Sequence, residues 1–161
     1  MTKLLMVCMG NICRSPMAKI VAQRAAIEAQ LSGQLIFDSA GTHVSHAGES
    51  LDSRAVLSLN RRGYFVGNQR SRQVRLDDFE HYDLILAMDN SNLLALKQRA
   101  PPVHWPKLKL LISFAQGLDA TEIPDPYYGN AAGFERVLDL CEASVEGLMS
   151  PGSRHVIEAA F

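Results

Sequence analysis

The sequence predicts a single-domain α/β fold, a four-stranded parallel sheet flanked by helices on both faces. Three observations carry this. Short apolar runs alternate along the chain with segments of helical period, the pattern of strand–helix–strand units joined by right-handed crossovers. The run Leu84-Ile85-Leu86-Ala87-Met88 is unbroken, as in a strand buried on both faces of a parallel sheet. A length of 161 residues suits one domain with a proper core. No repeat, linker or low-complexity tract divides the chain, so residues 1–161 read as one domain, with 150–161 as a C-terminal tail.

Leu4-Leu5-Met6-Val7 is too short for a helix and reads as the first strand. Cys8 follows, then a loop, then Arg14 and Ser15. Pro16 suits the first position of a helix, where its missing N–H would have no partner anyway. From Met17 to Leu31, Ile20, Val21, Ile27 and several alanines make one face, and Gln23, Arg24, Glu28 and Gln30 the other. Ser32-Gly33 ends that helix. Leu35-Ile36-Phe37 reads as the second strand, running into a turn at Ser39-Ala40-Gly41. Thr42 to Leu51 is polar. Its His43 and His46 would suit a metal on a helix, but Gly41, Ser45 and Gly48 argue for a loop and no further ligands complete a set. They read as residues on the rim of a cleft.

Asp52 to Arg62 reads as a second helix, with Ala55, Val56 and Leu59 inward and Gly63 as its stop. Tyr64 to Gln73 is a basic loop expected to be a solvated face. After the third strand Asp89 can cap a helix over Ser91 to Gln98, which ends before Pro101-Pro102. Leu108 to Phe114 reads as the fourth strand. Glu122-Ile123-Pro124 leads into a loop at Asp125. Phe134, Val137, Leu138, Cys141, Val145 and Leu148 fall at helical spacing, so Cys141 is most simply a core thiol.

The stretch from Cys8 to Pro16 carries the chemistry. Five residues separate Cys8 from Arg14, enough to wrap backbone N–H groups around one tetrahedral oxyanion. Gly10 and Asn11 tolerate the positive φ that such a curl needs. The following helix points its partial positive charge into the loop. Arg14 can grip two phosphate oxygens at once. The same field favours the thiolate form of Cys8, a nucleophile toward a bound phosphate monoester. In open α/β sheets the ligand sits at the carboxyl ends of the strands, where Cys8 lies.

CMGNICRSP resembles the signature of the low-molecular-weight protein-tyrosine phosphatases, and Asp125-Pro126-Tyr127-Tyr128-Gly129 resembles that family's general-acid loop. Asp38-Ser39-Ala40-Gly41-Thr42, and Leu86-Ala87-Met88-Asp89 followed by Ser91-Asn92-Leu93, are similar to further family stretches. The similarity runs from about Lys3 to the C-terminal helix. It implies strand order 2-1-3-4 and hydrolysis of phosphotyrosine in proteins, and of small aryl phosphates, through a phosphocysteine. Cys8 would be the nucleophile and Asp125 the general acid. Met9, Gly10, Asn11, Ile12, Cys13, Arg14 and Ser15 would form the phosphate loop. The resemblance also implies that Ser39 hydrogen-bonds Asn11 and steadies that loop. Ser15 can hydrogen-bond the sulfur, and Tyr127 and Tyr128 are candidates for the cleft wall. Two positions depart from the family pattern. Gln69 stands where a buttressing histidine is common, and Ser45 where an aromatic side chain often meets the substrate ring. Cys13 has two readings: a small buried side chain that fills space, or a partner that traps oxidised Cys8 as a disulfide.

Composition narrows the alternatives. Apolar content of 47% and charged content of 20% are ordinary for a globular protein, and a net charge of −1 leaves no basic footprint for nucleic acid. No apolar run reaches the length of a membrane span. Three cysteines make no disulfide framework, and Met1-Thr2-Lys3 leads directly into the first strand without a signal peptide. The expectation is a cytoplasmic monomer without cofactor or metal, since Arg14 and the loop amides supply the positive charge. Two rivals differ in kind. A thiol-dependent arsenate reductase would need further cysteines in mid-chain, and none lies between Cys13 and Cys141. A non-catalytic phosphoprotein-binding module would normally lack Cys8, Arg14 or Asp125.

Overall fold

Leu4 to Val7 carry no polar side chain, and the strand they form, β1 (Thr2–Cys8), runs through the middle of the sheet. The computed structural model describes residues 1–158. Among the described residues four strands form one sheet: β1, β2 (Leu35–Gly41), β3 (Leu84–Ala87) and β4 (Leu108–Leu110), in the order β2-β1-β3-β4 with every pairing parallel. Val7 lies between Ala40 on one side and Ala87 on the other.

Alternate side chains of β1 enter two separate cores, as a strand's period of two requires. Leu4 and Met6 pack with α1 (Arg14–Glu28), α2 (Ser53–Arg61) and α5 (Ala131–Met149). Leu5 and Val7 pack with Phe79 of α3 (Asp78–His81) and Leu96 of α4 (Asn90–Arg99). Cys141 is fully buried in the first core, and burial, aided by Glu142, pushes its thiol up to about 12.

Several boundaries differ from the sequence expectation. Helix α1 begins at Arg14, so Pro16 occupies its third position rather than its first. That is still the first turn, whose N–H groups have no partner within the helix. Ser39-Ala40-Gly41 is strand, not turn, because each residue pairs with β1 as far as Cys8↔Gly41. The fourth strand stops at Leu110, and Leu111–Phe114 curls into a 3-10 turn against α5. Gly147 permits that approach, since a Cβ there would collide with the Phe114 carbonyl. The expected tail at 150–161 is a helix over most of its length, α6 (Pro151–Glu158), with Ile157 buried; its last three residues lie outside the described residues. The basic loop is not all solvated: Arg72 is half-buried, bridging Asp38 and Asp78.

Candidate active site

The end of β1 and the start of α1 place Cys8 and Arg14 on opposite sides of one short loop. Asn11 adopts φ 57° and turns the loop back on itself; Gly10, expected to share that role, does not take a positive φ. An asparagine tolerates this region better than most residues. The turn brings the Asn11 backbone N–H to 3.3 Å from Cys8 Sγ, and Ser15 Oγ lies 3.0 Å from the same sulfur.

Asn11 is held on every side. Its Nδ2 donates to Ser15 Oγ at 2.8 Å and to Ser39 Oγ at 2.9 Å, while its Oδ1 accepts the backbone N–H of Arg72 at 2.9 Å. Gln69 plays no part in this, because its amide turns to Val66 O within its own loop. Strand β2 also lies close against the loop. A Cβ on Gly41 would sit 2.6 Å from the Met9 carbonyl oxygen, so only glycine fits there.

Arg14 is buried to 2% exposure. Its Nη1 donates to Asp89 Oδ2 at 2.6 Å and to Ile123 O at 2.9 Å. Burial works against its charge, but the hydrogen bond and charge of Asp89, with Cys8 and Asp125, more than offset that and raise its pKa. Asp89 is itself fixed as the N-cap of α4, in a capping box with Asn92. Asp125 is exposed. Its Oδ2 lies 3.7 Å from Arg14 Nη2, and its Oδ1 accepts the Tyr127 backbone N–H at 3.1 Å.

These groups open on a cleft of about 370 Å³. Cys8, the loop from Met9 to Arg14, His43, His46, Asp125, Tyr127 and Tyr128 all line it, whereas Ser15 and Ser39 stand behind the loop. His43 and His46 are rim residues. His43 Nδ1 meets Thr42 Oγ1, His46 faces Glu49, and no cluster completes a metal site around them among the described residues. Ser45 lines the same rim. Cys13 is a buried member of the loop. Burial first, then Asp52, Cys8 and Asp125, push its thiol up to about 12, so it is protonated at neutral pH.

The family model for low molecular weight phosphotyrosine protein phosphatase matches residues 3–158. The chain belongs to that family. A low molecular weight protein-tyrosine-phosphatase of Streptomyces coelicolor is 39% identical over 147 residues, covering 89% of each chain. The protein tyrosine phosphatase of Entamoeba histolytica, solved with Hepes in its active site, is 42% identical with a TM-score of 0.90, covering 92% of this chain and 95% of its own. YfkJ of Bacillus subtilis is 33% identical with a TM-score of 0.90, covering 96% of each chain.

Within this phosphatase framework, three residues beside the site carry contacts that the sequence does not reveal. Asp89, expected as a helix cap within a family-like stretch, also anchors Arg14. Arg72 looked like part of a solvated run, yet its backbone holds Asn11. Arg54, within the second helix, lies over the rings of Tyr127 and Phe134. The signal for Asp89 was its place just beyond β3: Met88 N donates to Val7 O, so the residues following β1 and β3 are neighbours. No helix among the described residues is long and apolar enough to cross a membrane.

Proposed function

We infer that this chain removes phosphate from phosphotyrosine in proteins, and from small aryl phosphates, through a phosphocysteine. The observation that carries this is the convergence of Cys8, Arg14 and Asp125 on one cleft. The Cys8 thiolate attacks phosphorus in line. Arg14 and the loop amides hold the equatorial oxygens, where transition-state charge resides. Asp125 protonates the departing phenolate, and its carboxylate then takes a proton from the water that attacks the phosphocysteine. Asn11 N–H and the Ser15 hydroxyl, aimed at the sulfur, ease the departure of Cys8 as thiolate. Tyr127 offers a ring for the substrate ring to pack on. A thiol nucleophile is best kept in a reducing compartment, so the enzyme is assigned to the cytoplasm, acting as a monomer.

Incubation with a phosphotyrosyl peptide should release inorganic phosphate. Rapid acid quenching should trap one phosphoryl group on the peptide that contains Cys8. Phosphate release with the label on any other residue would refute the assignment. EDTA should leave the rate unchanged, because positive charge comes from Arg14 and the amides; loss of activity to the chelator would show that a metal takes part.

Peroxide should inactivate the enzyme reversibly. It oxidises the Cys8 thiolate to the sulfenic acid, and the Cys13 thiol then forms a disulfide with it and releases water. Two equivalents of a thiol reductant restore both cysteines. Because Cys13 is protonated, this trapping should be slower at neutral pH than for an ordinary thiol and faster as pH rises. Cys13→Ser should keep its catalysis but recover much less after the same dose. Equal recovery in both proteins would leave Cys13 a packing residue.

A further inference from the structure

Arg54 sits in the first turn of α2, outside the phosphate loop, and has no role in the chemistry above. Both prongs of its guanidinium are taken by one carboxylate: Nε donates to Asp52 Oδ1 at 3.0 Å and Nη2 to Asp52 Oδ2 at 2.8 Å. The same Asp52 caps α2 through the Arg54 N–H, and its own backbone N–H donates to the carbonyl of Ile12 in the phosphate loop at 2.9 Å. The guanidinium is thus pinned to the loop that holds phosphate. Its centre lies 4.7 Å from the ring of Phe134, which is fully buried, and 5.5 Å from the ring of Tyr127. One end of this arrangement is rigid and the other is the half-exposed Tyr127. The Tyr127 backbone N–H in turn holds Asp125 Oδ1.

We propose that Arg54 is a positioning residue for the general acid: by holding the Tyr127 ring it sets the Tyr127 N–H, which fixes Asp125 Oδ1 and leaves Oδ2 facing the leaving group. Asp125 is exposed, and among the described residues the other polar contact of its carboxylate is the guanidinium of Arg14, at 3.7 Å. A carboxyl group so loosely held needs an orienting contact, because small misplacements of a catalytic group cost much of its effect. Oδ1, occupied by an N–H, is the oxygen that stays unprotonated. The transferable proton therefore resides on Oδ2, beside Arg14 and on the cleft side. Arg54 also couples the two loops, since Asp52 ties it to Ile12 and the ring ties it to the Asp125 segment. This inference rests on Asp125 being the general acid.

The test is kcat/KM across a series of aryl phosphates, from acidic nitrophenol leaving groups to unsubstituted phenol. Arg54→Met keeps an apolar stem over Phe134 but loses the fork and the charge. It should cost roughly 3- to 30-fold for the poor leaving group, the scale of a cation–π contact, and almost nothing for the acidic one. In an Asp125→Asn background the same change should add no further loss, because the two residues act as one unit. Arg54→Lys keeps the ion pair with Asp52 but not the flat face on the ring. It should steepen the leaving-group dependence in the same direction by a smaller amount. Equal losses across all leaving groups, a full loss in the Asp125→Asn background, or a wild-type slope in Arg54→Lys would overturn the assignment of Arg54 while Asp125 kept its role. A different result, Asp125→Asn alone costing the same for every leaving group, would remove the general acid itself and this proposal with it.

Discussion

Cys8→Ser is expected to abolish turnover, by at least roughly 10⁴-fold, the scale on which loss of a nucleophile acts. The oxygen would occupy nearly the same place, between Asn11 N–H and Ser15 Oγ. A serine hydroxyl is not ionised at neutral pH, and its neighbours among the described residues, Asn11 N–H and Ser15 Oγ, are not bases. The phosphate cradle does not depend on the sulfur, because Arg14 is anchored by Asp89 and Ile123 O, and Asn11 by Ser15, Ser39 and Arg72. Binding of phosphate or vanadate, measured by calorimetry, should therefore survive in part. Cys13 is a poor replacement for the missing nucleophile, since burial, the first cause of its raised pKa, and the charges of Asp52 and Asp125 still disfavour its thiolate in the variant. Residual activity above a few per cent would mean that another residue attacks phosphorus.

The parts of the fold legible in the sequence were those with a local signature. Leu84 to Ala87 is buried throughout and nothing in the run suggested otherwise. The long helix α5 showed its period over many turns. What escaped was an element too short for any period. Helix α3 has four residues and is held by the pairing of Arg72 with Asp78, while β4, expected over Leu108 to Phe114, keeps only the three residues that pair alongside Ile85 to Ala87. The strand ending at Gly41 looks shorter in the sequence because Ser and Gly resemble turn residues. Only the pairing with β1, a tertiary fact, makes them strand. Helix α6 was missed for a related reason, since a short segment after Ser150-Pro151 carries little periodic signal while its buried Ile157 anchors it.

The site divides along the same line. Cys8, Arg14 and Asp125 stand out in the sequence as candidates because each lies in a run of residues that suits one chemical purpose, and the fold brings all three to one cleft. The contacts that aim them do not stand out, because they join positions far apart in the chain. Asp89 meets Arg14 across 75 residues and Arg72 meets Asn11 across 61. Neither separation leaves a trace in local composition. Only the strand order, which sets β1 beside both β2 and β3, brings the segments that follow these strands together.

Arg14→Lys is expected to be severe, though less so than loss of the nucleophile, with kcat falling by roughly 10²–10³-fold, the worth of a lost oxyanion donor. The reason lies in how the guanidinium is shared. Nη1 is committed to Asp89 Oδ2 and Ile123 O, both fixed by their own elements, which leaves the rest of the fork for phosphate oxygens. A single ammonium has three donors on one atom. To reach phosphate it must leave Asp89 and Ile123 O, stranding a buried carbonyl beside a carboxylate. To stay with them it must abandon the equatorial oxygens. Either way the transition state loses a two-pronged contact, so kcat should fall further than KM rises. Asp89→Asn offers the complementary reading. The amide oxygen can still accept from Arg14 and cap α4, so the fork stays aimed while a counter-charge is lost. That variant should keep far more activity than Arg14→Lys. Near-normal kinetics in Arg14→Lys would remove Arg14 from transition-state binding. Equal damage from both variants would mean that the charge of Asp89, not the geometry of the fork, is what the site requires.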